Sequence, residues 1–404
     1  MLNVLWGPHL WTRILFVVAA CAAVGMFICT FFTVLYQRVI YLKTLRPKFD
    51  QSFRPRCSVI VPCKGTTKGF ETNLRSFCKL DYNDYEVIYT VESQTDPAVD
   101  TIQTVLKDNP RASLVVAGLT KGCAQKNWNQ IEAVKKANKP EIYVFADADI
   151  SPRPNWLSEL ILPLSDPKLS VTTGFRWLHA EGRSLGQQTH FYMNSFLYTL
   201  YCFASFSGSV GIWGGSMAIR RKDFDDIGVA ARWAETVVDD SSLSQLVKKN
   251  KKRSILVPTC ITHSDDLITS VRAATRWFER QMMFLKAYQK PLWSISIPII
   301  GVALIVLLWM PIALVLGFTT KYSFFAMGGG AGLMLWLGKF ASDLMYPMLG
   351  TMPRFGTFVV LHPVTLWIFL LSCMRTAFTN TVTWSGYKYK VSFATGKVTN
   401  VERI

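Results

Sequence analysis

Two aspartates that follow an apolar run carry the strongest chemical signal in the sequence. The run Ile142 to Ala146 is β-branched, aromatic or small, which is typical of a buried strand. Asp147 and Asp149 follow it, and Pro152 and Pro154 prevent the strand from continuing. Since alternate residues of an extended chain point to one side, both carboxylates can face the same spot. Close carboxylates repel each other unless a cation lies between them, and a hard divalent ion bound to phosphate oxygens meets that need.

The elements around this pair alternate between strand and helix. An Asp-x-Asp pair alone is common and could be two solvated loop acids. Its position in the predicted fold therefore helps to decide whether it is a functional site. Apolar runs bounded by polar residues predict further strands at Cys57–Pro62, Tyr85–Val91, Ala112–Val116, Leu169–Phe175 and Gly215–Arg220, and helices at Phe70–Leu80, Asp100–Lys107 and Trp128–Ala137. This alternation predicts a mostly parallel α/β sheet with helices on both faces, whose ligand site lies at the carboxyl ends of the strands.

Other polar residues lie at the predicted strand ends or between the strands. Pro62 ends the first strand, and Lys64 follows it in a Gly- and Lys-bearing loop that lacks the spacing of a Walker loop. Lys126 lies on the segment Lys121 to Asn129, whose lysines could bind a diphosphate. The complete set of such residues before the Asp pair is Pro62, Lys64, Glu92, Asp96, Lys126 and Asn129.

Two later motifs are more ambiguous when taken alone. Asp239 and Asp240 begin a predicted helix, where acids are often only favourable partners of the helix dipole. Arg276 and Trp277 lie on an amphipathic helix, which could equally be a helix that lies on a membrane surface. His263 could be a metal ligand, although a lone histidine is more often structural.

The composition indicates a membrane protein. Of the 404 residues 50% are hydrophobic, and the mean hydropathy is +0.22. The apolar residues are concentrated in four segments, which are Ile14–Tyr36, Ser294–Thr320, Tyr322–Gly350 and Thr357–Phe378. The sequence therefore predicts an N-terminal transmembrane anchor over 1–40, a cytosolic catalytic domain over 41–285, membrane helices over 286–380 and a cytosolic tail over 381–404.

Charge and cysteine usage support this topology. Basic residues cluster after the first apolar segment, which by the positive-inside rule places the following domain in the cytosol of a multi-pass protein. The net charge of +17 suits an anionic substrate and an anionic lipid surface. No nucleic-acid motif accompanies that charge, so a nucleic-acid partner is not expected. The nine cysteines include no Cys-x-x-Cys pair, which argues against a zinc site and suits a reducing compartment.

The ordered set of these motifs resembles the ceramide glucosyltransferases of family twenty-one, which are close to the processive family-two glycosyltransferases. The resemblance rests on Val-Pro-x-Lys-Gly at the first strand, Asp96-Pro-Ala, the Asp147-x-Asp149 strand end, Asp239-Asp240 and Arg276-Trp277. Asn73 to Val87 and the terminal Trp384 with Gly386 to Tyr389 extend it. Two positions depart from the family pattern: Ala273 replaces a Gln or Arg, and the Asp-x-Asp motif is complete.

The resemblance implies a GT-A-type fold and a role for each motif. Glu92 and Asp96 would lie near the uridine of a UDP-sugar, and Lys126 and Asn129 near its diphosphate or sugar. Asp147 and Asp149 would bind Mg²⁺ or Mn²⁺. Asp240 would be the general base with Asp239 beside it, and Arg276 and Trp277 would contact the diphosphate and shape the acceptor entrance. The expected reaction is inverting transfer from a UDP-sugar, in the first instance UDP-glucose, to a membrane lipid such as ceramide.

Two other functions fit parts of the sequence. A processive polysaccharide synthase would use the same motifs but would need a membrane channel for the polymer. A haloacid-dehalogenase-like phosphatase would use Asp147 as nucleophile and Asp149 as acid and base. That motif normally lies at the start of its domain, whereas about ninety residues of predicted strands and helices precede it here.

Overall fold

The computed structural model describes residues 35–179, 184–206, 210–265, 270–298 and 355–404, with isolated positions at 31, 208, 268, 300, 301 and 304. Three of the predicted membrane spans, Ile14–Tyr36, Ser294–Thr320 and Tyr322–Gly350, lie wholly or largely outside these residues.

A seven-stranded sheet forms the centre of the described structure. Its strands are β1 (Cys57–Pro62), β2 (Tyr85–Val91), β3 (Ala112–Val116), β4 (Ile142–Ala146), β5 (Val171–His179), β6 (Ser216–Arg220) and β7 (Ser254–Asp265), in the order β3-β2-β1-β4-β6-β5-β7. β1 to β4 are mutually parallel and β5 is parallel to β7, whereas β6 runs antiparallel to both of its neighbours. The predicted mostly parallel sheet is confirmed.

Helices cover both faces of this sheet, and further helices pack on one of them. In chain order the helices are α1 (Phe70–Phe77), α2 (Ala98–Lys107), α3 (Gln125–Lys136), α4 (Trp156–Ile161), α5 (Leu185–Ser205), α6 (Arg221–Asp226), α7 (Val229–Trp233), α8 (Asp239–Lys249), α9 (Val271–Tyr288) and α10 (Phe355–Ala377). Helices α9 and α10 pack against α5 and against each other. A π-helical segment, Tyr36–Leu45, short 3₁₀ turns, Arg46–Lys48 and Leu162–Ser165, and the helical residues 290–298 are also described.

Alternation along β1 separates two hydrophobic cores. Val59 and Val61 pack with Leu74 of α1 and Ile102 of α2 in one core. Ile60 lies in the other core with residues of α3, α6 and α8. Since successive side chains of a strand point to opposite faces, helices on both faces are needed to bury them, as the sequence predicted.

Two regions gained secondary structure that the sequence analysis did not assign. The apolar stretch around Phe191 forms the long helix α5, whose apolar residues have partners on several sides. Tyr198 packs against Phe175 of β5, and Met193 lies in a cluster with Phe278 of α9. Residues 381–404, for which the sequence predicted no secondary structure, form an antiparallel sheet of β8 (Thr381–Trp384), β9 (Tyr387–Val391) and β10 (Val398–Arg403).

The fourth predicted span, Thr357 to Phe378, corresponds to α10. Within the described ranges, no helix has both the length and the apolar character that crossing a membrane requires.

Candidate active site

A cavity of about 780 Å³ opens at the carboxyl ends of three parallel strands. Pro62 at the end of β1, Glu92 after β2 and Asp147 after β4 all line it. Open α/β sheets bind ligands at this edge, since the loops that leave the strands there surround one crevice. The predicted residues that line the cavity are Pro62, Lys64, Glu92, Lys126, Asn129, Asp147, Asp149, Asp239, Asp240 and Trp277.

Lys126 connects acids that are distant in sequence. Its Nζ lies 2.8 Å from Asp147 Oδ1 and 3.0 Å from Asp239 Oδ2. Asp239 is 1% exposed and also accepts a hydrogen bond of 2.9 Å from Gln130 Nε2. Burial lowers the pKa of Lys126, but the charges of Asp147 and Asp239 outweigh burial and raise it above its ordinary value. The ammonium group therefore stays charged in the middle of the acids.

Asp149 is neutralised by a different cation. Arg176 Nη1 on β5 lies 2.7 Å from Asp149 Oδ2. Burial raises the pKa of Asp149, and the charge of Arg176 offsets this only in part. Burial acts in the same direction on Asp147, but Lys126 reverses it and holds the pKa of Asp147 below its usual range. The two acids of the Asp-x-Asp motif thus have separate basic partners.

Asp240 has a different environment, because backbone groups hold its carboxylate. Gly214 N donates to Oδ2 at 3.1 Å, and Ser241 N in the first turn of α8 donates to Oδ1. Burial and the neighbouring charge of Asp239 raise the pKa of Asp240 to about 6, although Lys126 and the two N–H groups act in the opposite direction. A carboxylate with this pKa is ionised at neutral pH and is basic enough to accept a proton.

Two glycines ahead of β6 allow the acids to approach the sheet edge. A Cβ atom on Gly215 would lie 2.6 Å from Asp147 Oδ2 and 2.1 Å from the ring of Trp213. A Cβ atom on Gly214 would lie 2.8 Å from Asp239 Oδ2. Sequence reasoning missed these positions, although a Gly pair at the start of a predicted strand is a recognisable sign of close backbone approach.

The loop after β1 is held by the loop after β2. Lys64 Nζ lies 2.8 Å from Glu92 Oε2. Asp96 Oδ1 accepts hydrogen bonds from Gly65 N at 2.8 Å and from Ala98 N at 2.9 Å, so Asp96 joins this loop to the start of α2. Asn129 also lines the cavity.

The amphipathic helix α9 presents Trp277 and Arg280 to the cavity. Arg276, which the sequence placed at the diphosphate, is an exposed residue of α9 and is not among the residues that line the cavity. Burial and the nearby Arg176 lower the pKa of Arg280 to about 10. Arg280 was missed by sequence reasoning, although it lies one helical turn after Arg276. The side chain of His263 lies outside the described part of the chain.

A second group of residues that line the cavity is apolar, and we call it the apolar end. It contains Met282 on α9, Phe369 on α10, Leu292 and Ile295 of the helical residues 290–298, and Ile300. Leu292 and Ile295 are 52% and 54% exposed. The cavity therefore joins a charged end to an apolar end.

The charged end suits a divalent cation. Among the described residues no group of three or more His, Cys, Asp or Glu side chains could hold a metal ion. Asp147 and Asp149 nevertheless supply two carboxylates at one strand end, each already beside a cationic side chain. Hard oxygen donors of this kind fit Mg²⁺ or Mn²⁺ when a substrate phosphate provides further oxygens.

Comparison with known proteins agrees with this architecture. Residues 17–396 match a family model described as glycosyl transferase family 21. The mannosyltransferase PcManGT from Pyrobaculum calidifontis, solved with GDP-Man and Mn²⁺, has a similar fold with a TM-score of 0.50 at 16% identity, over 90% of this chain and 97% of that one.

Curated relatives match over shorter regions. Ceramide glucosyltransferase 1 of Caenorhabditis elegans is 25% identical over 46% of this chain and 40% of its own length. Ceramide glucosyltransferase 3 of the same organism is 28% identical over 31% of this chain, and the match spans 28% of that relative. The predicted resemblance is confirmed by the family match, which also speaks against the phosphatase alternative. The chain belongs to glycosyl transferase family 21.

Proposed function

We propose that the protein transfers a sugar from a UDP-sugar, in the first instance UDP-glucose, to the hydroxyl of a ceramide-like membrane lipid, with inversion to a β-glycosyl lipid. The observation that carries this proposal is the cavity itself, in which four aspartates and Lys126 lie at one end and apolar side chains at the other. A nucleoside diphosphate suits the first end and a lipid the second.

The charged end would bind the donor. Mg²⁺ or Mn²⁺ held by Asp147 and Asp149 would neutralise the diphosphate as it departs. Lys126 and Arg280 supply further positive charge on the same cavity. Such fixed charges stabilise the leaving group without reorganising in the reaction.

Asp240 would act as the general base. Its carboxylate accepts the proton of the lipid hydroxyl while that oxygen bonds to the anomeric carbon and UDP leaves. Attack from the face opposite the leaving group inverts the anomeric centre, so an α-linked donor gives a β-linked product. Asp239 Oδ2 lies 3.0 Å from Lys126 Nζ, so Asp239 would hold this lysine near the base.

The apolar end would hold the acceptor. Trp277 lines the cavity, and its ring lies 4.2 Å from that of His190 on α5, so it is positioned to shape the entrance. We propose that the predicted spans that lie outside the described residues hold the protein in a bacterial inner membrane or an ER or Golgi membrane, with the catalytic domain in the cytosol.

UDP release by the purified protein tests this function. UDP-glucose is supplied with and without ceramide and Mn²⁺, to the wild type, Asp147→Ala and Asp240→Asn. Asp100→Asn, an exposed acid on α2, is the matched control. We expect the wild type and Asp100→Asn to release UDP only when both lipid and metal are present. Asp147→Ala and Asp240→Asn should lose this release.

Other outcomes identify other functions. Release that is independent of lipid and accompanies a growing polymer would indicate a polysaccharide synthase. Absence of release with UDP-glucose, UDP-galactose and UDP-N-acetylglucosamine alike would contradict the proposal.

A further inference from the structure

The C-terminal sheet packs against the segments that immediately precede the candidate catalytic residues. Tyr387 and Tyr389 of β9 share a buried cluster with Ala124, which precedes α3 and Lys126. Val237 and Val238, which precede Asp239, belong to the same cluster. A displacement of this sheet would therefore change the positions of both the lysine and the acids.

Hydrogen bonds attach the sheet to the segments that carry the lysine and the acids. Gln125 N at the start of α3 donates to Tyr389 Oη at 3.3 Å. Val398 N donates to Glu235 O at 2.8 Å. Tyr288 Oη accepts from Val237 N at 3.0 Å and donates to Gly396 O at 2.9 Å, so α9 joins the acid-bearing loop to the sheet.

The turn between β8 and β9 reaches the cavity. Trp384 and Ser385 line it together with the aspartates. Ser385 and Gly386 have φ values of 50° and 78°, which are typical of a tight two-residue hairpin. The Trp384 ring lies 5.8 Å from the Arg280 guanidinium.

Tyr387 completes the hydrogen bonding of Glu92, a carboxylate that is only 6% exposed. Glu92 Oε2 accepts from Lys64 Nζ at 2.8 Å and from Tyr387 Oη at 3.1 Å, and Oε1 lies 3.6 Å from Arg403 Nη2. Lys64 Nζ also lies 4.6 Å from the centroid of the Tyr387 ring. A buried carboxylate needs such partners, and this one is engaged on both oxygens by the protein itself.

The charges in this cluster do not cancel. Lys64 and Arg403 carry two positive charges against the single negative charge of Glu92. Lys64 lines the cavity, so the surplus positive charge borders the space assigned to the donor. An anionic ligand such as a nucleoside diphosphate fits that surplus.

We propose that the C-terminal sheet forms a wall of the nucleoside-diphosphate site, and that Tyr387 is a positioning residue that acts through Glu92 to orient Lys64 toward the bound anion. The inference rests on the proposed function and extends it, because it gives Glu92 a role in holding Lys64 and not in reading the base. The tail is then part of the donor site.

Binding of UDP with Mn²⁺, measured by calorimetry on the full chain, tests this arrangement. Tyr387→Phe keeps the ring and removes one hydrogen bond to a charged group, so we expect the dissociation constant to rise about tenfold. Glu92→Gln should have a similar effect. Tyr387 and Glu92 act through one network. The dissociation constant of the double variant should therefore be no higher than that of the more affected single variant, and such non-additivity is the sign of coupled residues.

Controls separate positioning from unfolding. Thr383→Ala removes a hydroxyl from the exposed side of β8 and should leave UDP binding unchanged. Amide hydrogen exchange over 381–404 should be the same in Tyr387→Phe and the wild type, and with UDP-glucose the KM should rise while kcat stays within about twofold.

Three results would overturn the inference: wild-type affinity in Tyr387→Phe, additive losses in the double variant, or loss of exchange protection throughout the sheet. If the wild type itself binds no UDP, the proposed function fails and the inference fails with it. Failure of the proposed function can be distinguished from failure of the inference alone, because in the three results above the wild type still binds UDP.

Discussion

The two acid pairs of the cavity contain the same residue types, but their partners differ. Asp147 and Asp149 each face a cationic side chain, Lys126 or Arg176. In the second pair, Lys126 and Gln130 bind Asp239, whereas Asp240 is held by backbone N–H groups and has a pKa raised to about 6. Cationic partners suit a carboxylate that remains ionised beside a metal ion. Burial beside another acid suits a carboxylate that exchanges a proton.

Replacing Asp240 with Asn should cause the largest loss. The amide keeps the size of the side chain but cannot accept a proton, so kcat for lipid glucosylation should fall about 10³-fold. Calorimetry should show unchanged UDP binding. A kcat within tenfold of the wild type would mean that Asp240 is not the base and that the contrast between the two pairs is wrong.

Lys126→Gln should affect both pairs, because Lys126 contacts one acid from each. We expect kcat to fall about 10²-fold through loss of a charge at the leaving group. In the nucleotide-free protein, Mn²⁺ should bind about tenfold more tightly, since a competing cation is removed from Asp147. Electron paramagnetic resonance of free Mn²⁺ measures this, and Lys135→Gln, an exposed lysine later on α3, is the control.

The pH profile should report the raised pKa of Asp240. The base is active when deprotonated, so kcat/KM should rise with pH through about 6 and level off above it. Lys126 lowers the pKa of Asp240, so the profile of Lys126→Gln should move to higher pH. A flat wild-type profile between pH 5 and 7.5 would contradict this assignment.

The smallest effect is expected for Gln130→Leu. This change removes the hydrogen bond to the buried Asp239 but keeps a side chain of similar size. The free energy of unfolding should fall by about 1–3 kcal/mol, measured by urea denaturation, since Asp239 loses a partner. Asp239 keeps Lys126, so kcat should change only a few-fold.

The central sheet was predictable because its signals are local. The bounds of β1 to β4 agree with the apolar runs, which polar residues or prolines bound sharply. Strand β7 gave no such signal, because Pro258 and several polar residues interrupt it. The order and direction of the later strands were harder to predict. Strand β6 lies between β4 and β5 and runs antiparallel to both, and this arrangement depends on packing between residues far apart in sequence.

The site was predictable as a set of residues but not as a network. Asp147 was indicated by its position at a strand end and Lys126 by its residue type in a basic segment between strands. No local pattern reveals that Lys126 also reaches Asp239, more than a hundred positions away. The C-terminal sheet did carry a readable signal. From Tyr387 to Val391 aromatic or apolar residues alternate with lysines after a Ser-Gly pair, which is the pattern of a hairpin strand with one covered face. Burial alternates in the same way in the structure.

The close approach of Gly214 and Gly215 to the aspartates has a consequence for mutational tolerance. Neither glycine has a group that could take part in the reaction, yet any side chain there would displace Asp147 or Asp239. A saturation scan for activity should therefore rank both positions with the aspartates themselves, and even alanine should be rejected. We therefore expect the absence of a side chain at Gly214 and Gly215 to be as strict a requirement as the presence of a carboxylate at Asp147 and Asp239.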